Sequence, residues 1–166
     1  MTNFLGKKHT LASRQRLGGI AAIALFVLSP ALAFAGSCPA DKMGVDVRAP
    51  VSTPASGVTD TVIASINLAN EPIHIDGRLF RMRKLVIQPG GVVPWHSHHD
   101  RPAIIYILSG TIEEYASNCS VPIVHQAGDV TAETSGTSHW WKNTGSVTVV
   151  LLSADLFPVK ADPHTM

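Results

Sequence analysis

From Val58 onward, apolar positions come in short β-rich runs divided by turn-forming residues. The runs are Thr61 to Leu68, Arg78 to Ile87, Ala103 to Leu108, Thr111 to Tyr115, Val121 to His125, Val130 to Thr134, His139 to Lys142 and Val147 to Leu152. Breaks fall at Asn70-Glu71-Pro72, Gln88-Pro89-Gly90-Gly91, Ser109-Gly110, Ser117-Asn118, Ala127-Gly128-Asp129, Ser135-Gly136 and Asn143-Thr144-Gly145. No window after the N-terminal region has the period of an amphipathic helix. About eight closely spaced strands predict an all-β sandwich or barrel.

Parity then divides the faces. In Ala103 to Leu108, residues 103, 105 and 107 share one face and 104, 106 and 108 the other, and both faces are apolar. A strand apolar on both sides calls for cover on both sides, from a second layer, the N-terminal arm or a homodimer partner. Tyr106 is accordingly expected in a core or an interface.

The N-terminus has a different character. Lys7, Lys8, Arg14 and Arg16 precede a nearly uncharged run, Leu17 to Ala35, which ends in Ala33-Phe34-Ala35 before Gly36. This predicts a signal peptide over 1–35, with cleavage after Ala35, and a secreted or periplasmic protein; an uncleaved anchoring helix is the alternative. The remaining 131 residues divide into an irregular arm, 36–57, rich in Pro and Gly, and a single β domain, 58–166. Cleavage leaves nine basic and twelve acidic residues, a net charge of −3. That balance gives no reason to expect nucleic acid, nor membrane contact once the leader is gone. The one basic cluster, Arg81, Arg83 and Lys84, reads as a solvated strand face. Export and an even cysteine count predict a Cys38–Cys119 disulfide, the alternative being lipid modification of Cys38.

The chemistry concentrates in Trp95-His-Ser-His-His-Asp100. On a strand, His96 and His98 project to the same face and His99 to the other. His139, after the Ser135-Gly136 turn, supplies a third imidazole from another strand. Three neutral imidazoles suit a divalent ion (Fe, Mn, Zn, Ni or Cu) and leave facial positions open to water or substrate. The same residues could instead line a metal-free ligand cavity.

The spacing Gly90-x5-His96-x-His98-x4-Ala103-x6-Gly110, then Gly128-x5-Thr134-x-Gly136-x2-His139-x3-Asn143, resembles the two motifs of the cupin family. The resemblance covers roughly residues 78 to 155 and implies a jelly-roll, or double-stranded β-helix, barrel of six to eight strands with one metal near its mouth. Two positions depart from the motifs. Thr134 stands in place of a proline, and Ala103 in place of the family's glutamate ligand. In this the chain is similar to the three-histidine thiol dioxygenases. Glu133, Asp100 or solvent is expected to take the missing glutamate's place.

Around the site, Trp141 shares the face of His139 and is expected to wall the pocket, with Trp140 packing outside. His74, His125 and His164 read as surface histidines. The catalytic residues remain unassigned, since the inward positions Ala103, Ile105 and Ile107 offer no acid or base. Two functions stay open: metal-dependent, dioxygenase-type chemistry on a small molecule, or a non-catalytic module that binds a small ligand.

Overall fold

The structure, a computed structural model, describes residues 36–159. The expected leader over 1–35 and His164 lie outside the described residues. Eight antiparallel strands form the domain: β1 (Ser56–Asn67), β2 (Arg78–Ser97), β3 (Ala103–Ser109), β4 (Thr111–Ala116), β5 (Ile123–Gln126), β6 (Val130–Glu133), β7 (Ser138–Lys142) and β8 (Val149–Pro158). They make one curled sheet in the order β5-β4-β7-β2-β8-β3-β6, with β1 added on β2. This is the expected all-β jelly roll. No helix among the described residues is long and apolar enough to cross a membrane.

The expected break at Gln88-Pro89-Gly90-Gly91 is instead a corner inside β2. Before it, β2 pairs with β1 and β8; after it, Val92 to Ser97 pair with β7. One strand therefore serves both walls of the barrel, as strands do when they bend from one sheet into another. A Cβ on Gly91 would lie 2.8 Å from the Gln88 carbonyl oxygen and 2.9 Å from that of Gly57. The corner thus needs a residue without a side chain.

The inner faces meet in a core of Leu85, Ile87, Val93, Ile105, Ile107, Ile112, Trp141, Val149 and Leu151. Burying each such side chain is worth about 2 kcal/mol. In β3 the parity reading holds for the inner face: Ala103, Ile105 and Ile107 are buried. The outer face, Ile104, Tyr106 and Leu108, is exposed in the single chain, so Tyr106 is not part of the core.

The arm is tied down at several points. Cys38 and Cys119 form the expected disulfide, and Met43 makes a β-bridge with Cys119. The Gly36 N–H donates to the Val124 carbonyl at 2.8 Å and the Arg48 N–H to that of Ser117 at 3.3 Å. The arm therefore runs along the β4–β5 connection. Cys38 packs there against a small cluster of Ala116, Cys119 and Ile123.

Candidate metal centre

His96 and His139 are direct partners across the β2–β7 ladder. β2 ends at Ser97, so His98 does not sit on the strand as the alternation had suggested. Its N–H donates to the Thr137 carbonyl at 2.9 Å, and its own carbonyl accepts from the Arg101 N–H at 3.2 Å. Those bonds turn His98 back toward the other two. The Nε2 atoms of the three rings form a triangle with sides of 3.1 Å (His96–His98), 3.0 Å (His98–His139) and 3.1 Å (His139–His96). His99, as expected, is exposed.

The opposite ring nitrogens fix the tautomers. His96 Nδ1–H donates to the Pro94 carbonyl at 2.9 Å, His98 Nδ1–H to the Arg101 carbonyl at 2.8 Å, and His139 Nδ1–H to Glu114 Oε1 at 2.7 Å. With each proton on Nδ1, each Nε2 carries only a lone pair. Protonation is no remedy. Burial, followed by the neighbouring His139, holds His96 well below its ordinary range and His98 down to about 4. Three lone pairs converging on one point fit a cation. With metal–nitrogen bonds of about 2.1 Å, adjacent ligands are about 3.0 Å apart on an octahedral face and about 3.4 Å apart in a tetrahedron. Sides of 3.0 to 3.1 Å are in the range at which these three nitrogens would hold one ion.

Behind His139 lies a buried acidic layer. Glu114 accepts from His139 through Oε1 and lies 2.8 Å from His125 Nε2 through Oε2. Burial raises its pKa, but the hydrogen bonds from His125 and His139 outweigh that and hold it at about 2. Glu133 Oε2 is 3.6 Å from His139 Nδ1, and Thr131 donates to Oε1 of Glu133 at 3.0 Å. Burial raises the Glu133 pKa, the positive side of His139 opposing it and the Glu114 charge adding to it.

Glu133 therefore groups with Glu114 and His139, on the Nδ1 side of the ring, and not with His96 and His98. Asp100 is bound to Arg78 at the surface. Neither carboxylate joins the Nε2 triangle. Ala103 is buried on the inner face, paired across the ladders with Glu133 and Asp155.

His74 is exposed, as expected. His125 is fully buried, against expectation, because β5 alternates and Ile123 and His125 both point inward. Trp141 shares the face of His139 as expected. Its ring stacks on His125 at 4.7 Å, and its indole N–H lies 3.2 and 3.3 Å from the two ring nitrogens of His139, so it is aimed at the ring itself. Trp140 stacks outside on Tyr115.

A cavity of about 200 Å³ opens beside His96 and His98, walled by Val58, Leu85, Val93, Ile105, Trp141 and Leu151. Its polar lining includes Asp60, Arg83 and Arg101. Arg81, Arg83 and Lys84 do not form the expected solvated face. Only Lys84 is exposed, while Arg81 and Arg83 lie on the inward row of β2 with Leu85 and Ile87. They turn inward because Asp155, almost fully buried, and Asp60 supply counter-charges. Arg81 grips Asp155 with two bonds, at 2.9 and 2.7 Å.

The topology and the three converging imidazoles define a small antiparallel β-barrel with a candidate metal site. Residues 83–155 match the family model described as a Cupin domain. The chain therefore contains a cupin domain, the family its motifs resemble. It is also similar to several solved structures. An uncharacterized conserved protein from Klebsiella pneumoniae with a double-stranded β-helix domain is 20% identical, with 67% of this chain and 86% of that chain covered and a TM-score of 0.50. A predicted oxalate decarboxylase from Thermotoga maritima is 26% identical, with 60% and 80% covered and a TM-score of 0.49. A cupin domain from Bordetella pertussis is 17% identical, with 64% and 99% covered and a TM-score of 0.47. No curated protein matches the chain.

Proposed function

We propose that this protein is an exported, single-domain cupin that holds one divalent metal ion on His96, His98 and His139 and uses it on a small molecule in the adjoining cavity. The observation that carries this reading is the Nε2 triangle, with sides of 3.0 to 3.1 Å and every Nδ1 already committed to an acceptor. When bound, the ion supplies Lewis acidity and open coordination positions, the requirements of oxygenase-type chemistry. The protein's own groups do the rest. Glu114 orients His139, the Pro94 and Arg101 carbonyls orient His96 and His98, and the apolar wall keeps water from the reacting atoms. Export is supported by the disulfide.

Metal analysis of untagged protein tests the reading. About one equivalent of ion per chain is expected. It should be lost in His96→Ala, His98→Ala and His139→Ala and kept in His99→Ala. Failure to load any divalent metal would overturn it. N-terminal sequencing of the mature protein, expected to begin at Gly36, tests export separately. A second reading, a non-catalytic ligand-binding module, draws on one observation. Asp60, the carboxylate lining the cavity, is tied to Arg83 and is not free to act as a base.

A further inference from the structure

The mechanism uses the histidine end of the cavity and leaves its basic end unexplained. Three arginines, Arg81, Arg83 and Arg101, gather there around two aspartates, Asp60 and Asp155. Arg81 takes both oxygens of Asp155, and Arg83 divides its donors between Asp60 and Asp155. Arg101 comes third. Its nearest carboxylate oxygen, on Asp155, is 3.6 Å away, and among the described residues its guanidinium makes no hydrogen bond.

Arg101 is nevertheless 6% exposed, and the little surface it retains lines the cavity next to His96 and His98. Burial, with Arg83 nearby, pulls its pKa down to about 10, which still leaves it charged. A buried planar fork of donors whose nearest carboxylate is 3.6 Å away, facing a largely apolar chamber, has donors to offer a ligand.

We infer that Arg101 is the anchor for a small organic carboxylate, whose anionic head lies on the guanidinium and whose apolar body lies between Val58, Leu85, Ile105 and Leu151, reaching toward the histidines. One surplus charge calls for a monoanion, and the apolar walls call for carbon behind it, which disfavours inorganic phosphate. The chamber is below the roughly 300 Å³ at which sites for drug-sized ligands begin, so the ligand is small. The inference deepens the proposed function by naming its substrate class. It rests on that reading for what the histidines do to the ligand, but not for the ligand's binding.

The test is a calorimetric titration of the full, chelator-treated chain with butyrate, isovalerate and hexanoate, each beside its primary amide, and with inorganic phosphate. At least one carboxylate should bind about tenfold or more tighter than its amide, and tighter than phosphate. Arg101→Gln should erase the preference for acid over amide. Arg101→Lys, which keeps the charge and loses the fork, should weaken it by a smaller factor. Circular dichroism of both variants identifies any that fails to fold, in which case Arg101→Lys and the acid–amide comparison in the unmodified protein decide the matter. The inference is overturned if no carboxylate outbinds its amide, if phosphate binds tightest, or if the folded arginine variants keep the full preference. A chain that shows the preference yet loads no metal overturns the proposed function alone.

Discussion

Glu114 Oε1 lies 2.7 Å from His139 Nδ1 while its Oε2 lies 2.8 Å from His125 Nε2, so one buried carboxylate fixes two imidazoles at once. The bond to His139 holds the proton on Nδ1 and makes Nε2 the more basic nitrogen. Glu114→Gln keeps the shape but loses the charge. Metal affinity should fall by about 10- to 100-fold, read by competition against a chromophoric chelator. Unchanged affinity would remove Glu114 from the metal centre.

Acid should destabilise the metal-free protein in a defined order. The His98 pKa is about 4 when folded and 6.5 as reference, so as pH falls through that range the unfolded chain takes up a proton that the folded chain refuses. Stability drops by on the order of 3 kcal/mol from His98, and His96 acts in the same direction. Glu114, lowered from 4.5 to about 2, extends the loss below pH 4.5. Glu133, raised by burial, works the other way but stands alone against the two histidines. Urea titrations of the apo protein should show a midpoint that falls steadily from about pH 6.5 to about pH 4. A flat midpoint would contradict the buried, neutral assignment.

The disulfide joins residues 81 apart in sequence. Closing a loop of that length in the unfolded chain is worth about 4 kcal/mol on the chain-entropy model, so the Cys38→Ser, Cys119→Ser double variant should lose stability on that order. Thermal melting with and without reductant measures the loss. Two alkylatable thiols in the unreduced, denatured protein would show that the bridge does not form.

Gly90 and Gly91 sit side by side at the corner of β2 yet should respond differently to alanine. Gly90 has φ +76 with nothing within 4 Å of an added Cβ, so Gly90→Ala meets only the left-handed backbone strain of about 1 kcal/mol. An added methyl at Gly91 meets two carbonyl oxygens, at 2.8 and 2.9 Å, that belong to strand backbone and cannot move away. Gly91→Ala should cost more than about 2 kcal/mol and lower metal content as well, because His96 lies just beyond the corner. Chemical denaturation of both variants gives the comparison, and equal losses would contradict it.

The sequence made the strands legible because Pro, Gly and Asn mark most turns, and it made the three histidines legible because their spacing is held by glycines in register. It misled at Gln88 to Gly91, where the residues that end strands elsewhere here bend one strand between two walls. The polar interior was missed. Alternation with Ile112 and Ala116 put Glu114 inside, and alternation with Leu151 put Asp155 there. An inward acid reads as an anomaly until its partner is known. Those partners lie far off in the chain: His139 is 25 residues from Glu114, and Arg81 is 74 from Asp155. The same distance hid the burial of Arg81 and Arg83, whereas His125, only 11 residues from Glu114, was missed because its inward place follows from the alternation of the short strand β5.

β7 comes late in the chain yet lies between β4 and β2, both of which precede it. A chain emerging from its N-terminus therefore presents His96 and His98 while the place for His139 is still vacant, 43 residues away. Two imidazoles on an unformed edge bind metal weakly, and the third arrives only when β7 is inserted and the loop is closed. If the proposed centre holds a metal, its capture would thus fall at the end of folding. The ion would then be drawn from the compartment in which the chain completes its barrel, and an unfinished molecule would have little means of retaining the wrong one.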